Sequence, residues 1–162
     1  MTTNLDTRLA SYQSPVLSIF RIVFGLMFTL HGTIKLFGWP LGTSIPVGTW
    51  PAWWAGLIEL VTGVLITVGL FTRIAAFIAS GEMAVAYFWM SWPPLEGPSA
   101  SFWPHDQRLG GNGGEPAVLF CFAFLLLATT GAGALSADSR RRGRVAATTG
   151  AAPRRRFGRF RR

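Results

Sequence analysis

The sequence predicts an all-α membrane protein, a bundle of four transmembrane helices with both termini on the cytoplasmic side. Three observations carry that expectation. Hydrophobic residues make up 50% of the 162-residue chain and its mean hydropathy is +0.38, more apolar than a water-soluble domain of this size. Four apolar stretches, at 16–38, 52–71, 74–92 and 116–135, each approach the ~20 residues that a helix needs to cross ~30 Å of hydrocarbon. The positive charge is also one-sided. Ten arginines, from Arg140 to Arg162, follow the last stretch, and Arg8 and Arg73 fall on the same side if the chain crosses four times.

Taken in order, residues 1–15 form a polar cytoplasmic lead, 16–135 the four-helix domain and 136–162 a basic, disordered tail. The first span is too long for a signal-peptide core and no small-residue cleavage site follows it, so it stays in the mature protein. Residues 39–53 (WPLGTSIPVGTWPAW) carry no charge and suit an outer loop at the interface, where tryptophan prefers to sit. The link LFTR, 70–73, is a turn that makes the second and third helices antiparallel neighbours. The loop 93–114 is rich in proline and then glycine, and its length marks it as functional. Trp39, Trp50, Trp53, Trp54, Tyr87, Trp89, Trp92, Phe102 and Trp103 crowd the outer ends as an aromatic belt.

The net charge of +8 is no nucleic-acid footprint, because its excess lies in the tail beside a membrane, where anionic lipids are the expected partner. The single cysteine, Cys121, lies in FCFAFLLL as apolar filler, and the sequence has no CxxC or Cys/His cluster. That excludes iron–sulfur, c-type haem and structural zinc sites, and the two histidines are too few for a haem–copper oxidase core. No metal site is expected.

The chemistry lies in charges inside the spans. Arg21, Gly25, Phe28, Gly32 and Lys35 share one helix face, with His31 close to it. Gly56, Glu59 and Gly63 line a stripe of the second span, Glu82 follows Gly81 near the middle of the third, and Glu115 precedes the proline that opens the fourth. A cation at mid-bilayer costs roughly 2.5–3.5 kcal/mol on insertion scales. The expected resolution is a buried network in which Arg21, His31 and Lys35 meet Glu59, Glu82 and Glu115. Such a network either fixes helix register alone or also forms a site for a headgroup, a proton or a small ligand.

The pattern R-x3-G-x2-F-x2-HG-x2-K-xFG at Arg21, Gly25, Phe28, His31, Gly32, Lys35, Phe37 and Gly38 resembles the DoxX family of small four-helix membrane proteins. So do E-x3-G-x5-GLFTR-x-AA from Glu59 to Ala76, GEMAVAYF from Gly81 to Phe88, and NGGE from Asn112 to Glu115. The likeness covers about 19–135. It implies a multi-pass protein of the bacterial plasma (inner) membrane, related to the small subunit of thiosulfate:quinone oxidoreductase. It further implies a subunit of an oxidoreductase complex linked to quinone, thiol or sulfur chemistry or to oxidative stress, with no covalently bound cofactor, a quinone as ligand and a protein partner carrying the redox centre. It carries over no catalytic residues. The other reading is a non-catalytic membrane anchor or assembly factor that recruits partner proteins.

Overall fold

The computed structural model describes residues 2–91 and 103–148, and within them the side chains of 5–91, 103–108 and 110–145. Trp92, Glu96, Phe102 and the arginines from Arg154 onward lie outside the described residues, so the expectations placed on them are not addressed by it. Among the described residues every regular element is a helix, and there are no strands. The elements are α1 (Thr2–Phe37), α2 (Ala52–Val68), α3 (Thr72–Ala86) with a π-helical continuation (Tyr87–Ser91), a 3₁₀ turn (Gln107–Leu109), α4 (Glu115–Thr130) and α5 (Ala137–Thr148).

Helix α1 runs on past the expected boundary between lead and first span, with Pro15 inside it. Proline removes one helical donor, but this part of the helix is exposed, and an exposed carbonyl can take water instead. The second and fourth apolar stretches are cut shorter than the sequence suggests. Helix α2 stops at Gly69, whose φ of 77° permits the closing bonds Gly69 N to Ile66 O and Leu70 N to Leu65 O. Helix α4 stops at Gly131. Among the described residues two helices are, by length and composition, long and apolar enough to cross a membrane, Leu5–Phe37 and Thr72–Ser91, while α2 and α4 are shorter apolar helices.

Helices α1 and α2 pack through reciprocal glycines. A Cβ on Gly32 would lie 2.5 Å from Leu60 N and 2.8 Å from Gly56 O. One on Gly63 would lie 2.6 Å from Thr29 N, and one on Gly25 2.6 Å from Thr67 Oγ1. Both helices therefore present bare backbone at seven-residue intervals, and the backbones approach as closely as small-residue membrane interfaces allow. Helices α3 and α4 meet through Ala75, Ala76, Ala79 and Ser80. The Ser80 hydroxyl donates to Cys121 O at 2.9 Å. Between the two pairs lie Phe28, Phe120 and Phe124, with Phe28 and Phe124 4.7 Å apart between ring centroids, closed below by Ile66 and Leu127.

The distribution of polarity is inverted relative to a water-soluble bundle. Arg21 and Glu59 are buried, whereas Val23, Leu26, Val61, Val64, Phe77, Leu119 and Phe122 face outward. Apolar surface this continuous marks contact with lipid or a partner.

The stretch expected to be a disordered tail from residue 136 begins instead with α5. Its arginine-rich composition cannot build a core, but Asp138 ties it to the bundle. The carboxylate accepts from Phe71 N at 3.0 Å and Thr72 N at 2.9 Å, filling open donors at the start of α3, and Asp138 N donates to Gly69 O at 2.9 Å.

Candidate functional site

The charged residues singled out in the sequence divide into two groups. Toward one end, Lys35 Nζ of α1 lies 2.6 Å from Glu59 Oε1 of α2, and Glu59 is almost fully buried. Glu82 of α3 is within electrostatic reach of both. One ammonium faces two carboxylates, so the group can take up a proton or accept a hydrogen bond from a ligand. Each carboxylate also keeps one buried oxygen, Glu59 Oε2 and Glu82 Oε2, without a hydrogen-bond partner. Unsatisfied buried acceptors are costly and few in native structures, so they mark a place where a donor is missing.

A cavity of about 190 Å³ opens beside this group, lined by His31, Lys35 and Glu59 on the polar side and by Phe28, Met83 and Phe120 on the apolar side. His31 lines the cavity, stands edge-on to Phe120 at 5.7 Å between ring centroids, and is exposed. The NGGE turn closes the far wall. Asn112 Oδ1 accepts from Gly114 N at 2.8 Å, and Asn112 Nδ2 donates to Tyr87 Oη at 3.2 Å. A Cβ on Gly114 would lie 2.5 Å from the Tyr87 ring. The wall is completed by Met90 and Ser91 of the π-helical turn, an element found often at functional sites. Asn112 and Tyr87 were not among the candidate residues. The signal for them was the NGGE motif itself, whose glycines admit an aromatic ring against bare backbone.

Arg21 sits apart from these carboxylates. Its Nε donates to Ala132 O at 2.9 Å, one terminal nitrogen to Ile66 O at 2.5 Å and to Thr67 O, and the other to Leu135 O at 2.6 Å. The guanidinium thus supplies donors to the C-terminal carbonyls of α2, Ile66 O in addition to its bond from Gly69 N, and gathers the loop after α4, where a positive charge also complements the helix dipole. Arg73 does the same for α4, donating to Ala128 O at 3.0 Å and Thr129 O at 2.7 Å. Asp138 completes this junction. Burial alone would push its carboxyl up, but the amides of Thr72 and Phe71, then Arg142, outweigh it and hold the carboxyl below its ordinary value. Glu115, at the first position of α4, is exposed and joins neither group.

Fold and site together define a small, all-helical membrane protein with an ion pair and orphaned carboxylate oxygens inside it. The DoxX family model matches residues 16–92. An uncharacterized protein of Haemophilus influenzae is 41% identical over 135 residues, spanning 82% of this chain and 95% of that relative. The chain belongs to the DoxX family. No solved structure matches it.

Proposed function

We propose that the chain is a four-span subunit of a redox-linked complex in the bacterial plasma membrane, whose cavity beside Lys35 and Glu59 takes the headgroup of a quinone. Helix α2, of 17 residues, falls at the short end of spanning lengths and α4, of 16, just below it, and the tryptophan-rich segment before α2 extends its reach at the interface. The arginine bias favours cytoplasmic termini, with the basic C-terminal residues lying against anionic lipid.

The observation that carries the ligand reading is Glu59 Oε2, a buried acceptor without a donor at the wall of a cavity. At about 190 Å³ this space is below the ~300 Å³ where drug-sized sites begin. It fits a ring headgroup with its tail outside. Quinones supply two-electron, two-proton chemistry. Lys35 and His31 would donate to a carbonyl oxygen, Glu59 would accept from a hydroxyl, and Glu82 would hold a proton one step behind it. Phe28, Met83 and Phe120 exclude water from the ring face. Electrons come from a partner protein that bears the redox centre.

The anchor or assembly-factor reading draws support from Arg21, whose bonds all serve the fold. Purification in mild detergent, followed by identification of lipid-soluble small molecules and co-purifying proteins, separates the two. Quinone retained together with a redox-bearing protein supports the first reading. Proteins retained without quinone support the second.

A further inference from the structure

We propose that the pocket between the start of α3, the loop after α4 and α5 is a binding site for one anionic phospholipid of the cytoplasmic leaflet, its phosphate held by Arg141 and Arg142. The inference rests on the membrane-spanning reading above and is independent of the quinone site.

The pocket measures about 690 Å³ and borders the start of α3, whereas the cavity beside Glu59 borders its end, and the two share no lining residue. Its α5 wall presents Asp138, Arg141, Arg142 and Val145, the three-and-four spacing of a single helix face. The opposite wall carries Arg73. Three guanidinium groups therefore border the space against one carboxylate. That carboxylate spends its two oxygens on Phe71 N and Thr72 N, so it is a fixed part of the wall.

Arg73 is committed to the end of α4 and supplies charge from behind. Arg142 donates from Nε to Asp138 O at 3.3 Å, and among the described residues its two terminal nitrogens are left for an oxyanion. Arg141 is held by its position 5.9 Å above the Phe71 ring. A planar guanidinium presenting paired donors is the side chain that matches phosphate geometry.

The occupant is a lipid and not a free anion, because the basic rim opens onto an apolar wall. Phe71 and Ile74 line the pocket and are 51% and 63% exposed, and Phe77 and Ile78 extend that apolar surface along α3 away from α5. A free phosphate would use the rim and leave this surface bare. A phospholipid uses both, with its headgroup at the arginines and an acyl chain along α3.

The test is native mass spectrometry of the full-length protein titrated with phosphatidylglycerol in detergent, with phosphatidylcholine, inorganic phosphate and glycerol 3-phosphate as comparisons. Three double variants are measured beside the wild type. R141Q/R142Q removes the site, R154Q/R155Q removes the same charge elsewhere, and R141K/R142K keeps the charge. The wild type is expected to retain one phosphatidylglycerol. R141Q/R142Q weakens retention about thirtyfold, the combined effect of two arginines at an anionic surface. R154Q/R155Q changes it little, and R141K/R142K, which keeps the charge but not the paired donors, recovers only part of it. Equal losses in the two glutamine variants overturn the site in favour of diffuse attraction. Displacement of the lipid by inorganic phosphate at equal concentration overturns the choice of a lipid. A chain that stays monodisperse after detergent removal refutes the membrane-spanning reading itself. One that needs detergent yet shows no saturable lipid refutes this inference alone.

Discussion

Lys35 Nζ and Glu59 Oε1 lie 2.6 Å apart and join α1 to α2, while the other oxygen of Glu59 is buried without a partner. The same carboxylate thus serves the fold with one atom and faces a cavity with the other. The pair sits where the glycine faces of the two helices end, since a Cβ on Gly56 would lie 2.8 Å from Lys35 Cβ. Close backbone approach is what brings a side chain on each helix within bonding distance.

Removing one partner should cost more than removing both. Lys35→Met leaves Glu59 buried without its counter-charge and should lower stability by about 3 kcal/mol. Lys35→Met combined with Glu59→Gln should recover much of that loss. Thermal unfolding in detergent of the two single variants and the double variant gives the coupling. Strict additivity would show that the pair does not interact.

Two glycines should respond oppositely to alanine. At Gly32 the new methyl meets backbone of α2 at 2.5 Å, and helix separation should cost about 1–3 kcal/mol. At Gly81 nothing lies within 4 Å, so Gly81→Ala should be neutral or raise stability by up to about 1 kcal/mol through helix propensity. Melting temperatures of the two variants check this directly. A tolerated Gly32→Ala would contradict the close α1–α2 contact.

Arg21→Lys keeps the charge but not the fork. One ammonium cannot reach the carbonyls of Ile66, Ala132 and Leu135 together, so at least one acceptor of the junction loses its donor, at about 1–3 kcal/mol where it is buried as Ala132 O is. The variant should melt well below the wild type while retaining ligand at low temperature, because Arg21 is not at the cavity. Hydrogen exchange should rise at residues 69–72 first.

The Asp138 cap predicts a pH dependence. Its carboxyl is held below the ordinary value of 3.8, so the folded state favours the ionised form. The resulting stability is fully present above that value and is lost as pH falls through the lower folded value. Asp138→Asn should cost about 1 kcal/mol at neutral pH, as a lost cap does, and should flatten the acid side of the stability curve. Melting curves of both proteins at neutral and acid pH measure it. Parallel curves would show that Asp138 contributes nothing through its charge.

What the sequence reveals and what it hides follow from the kind of partner each residue takes. Lys35 and Glu59 were legible because both fall on glycine-bearing helical faces, and facing stripes of small residues bring opposite charges within reach. Arg21 was legible as buried but not in its role. Its partners are backbone carbonyls of Ile66, Thr67, Ala132 and Leu135, and every residue has a carbonyl, so no residue type announces the contact. Helix α5 was hidden for a related reason. Its composition resembles that of an unstructured basic tail, and the bonds that order it join Asp138 to Phe71 and Thr72, 67 and 66 residues earlier in the chain. The lengths of α2 and α4 were overestimated because hydropathy continues past the glycines that end them.

The most direct test of the proposed function is equilibrium binding of a short-chain quinone to purified protein, comparing the wild type with His31→Gln. Glutamine keeps a polar side chain of similar reach but replaces the ring N–H by an amide that is not held edge-on to Phe120. The wild type should bind saturably. The variant should melt at a similar temperature, since among the described residues the contact of His31 is a ring contact with Phe120, and should bind about tenfold more weakly because the amide donor is no longer oriented toward the headgroup. No saturable binding by the wild type, or equal binding by the two proteins, would contradict the headgroup site.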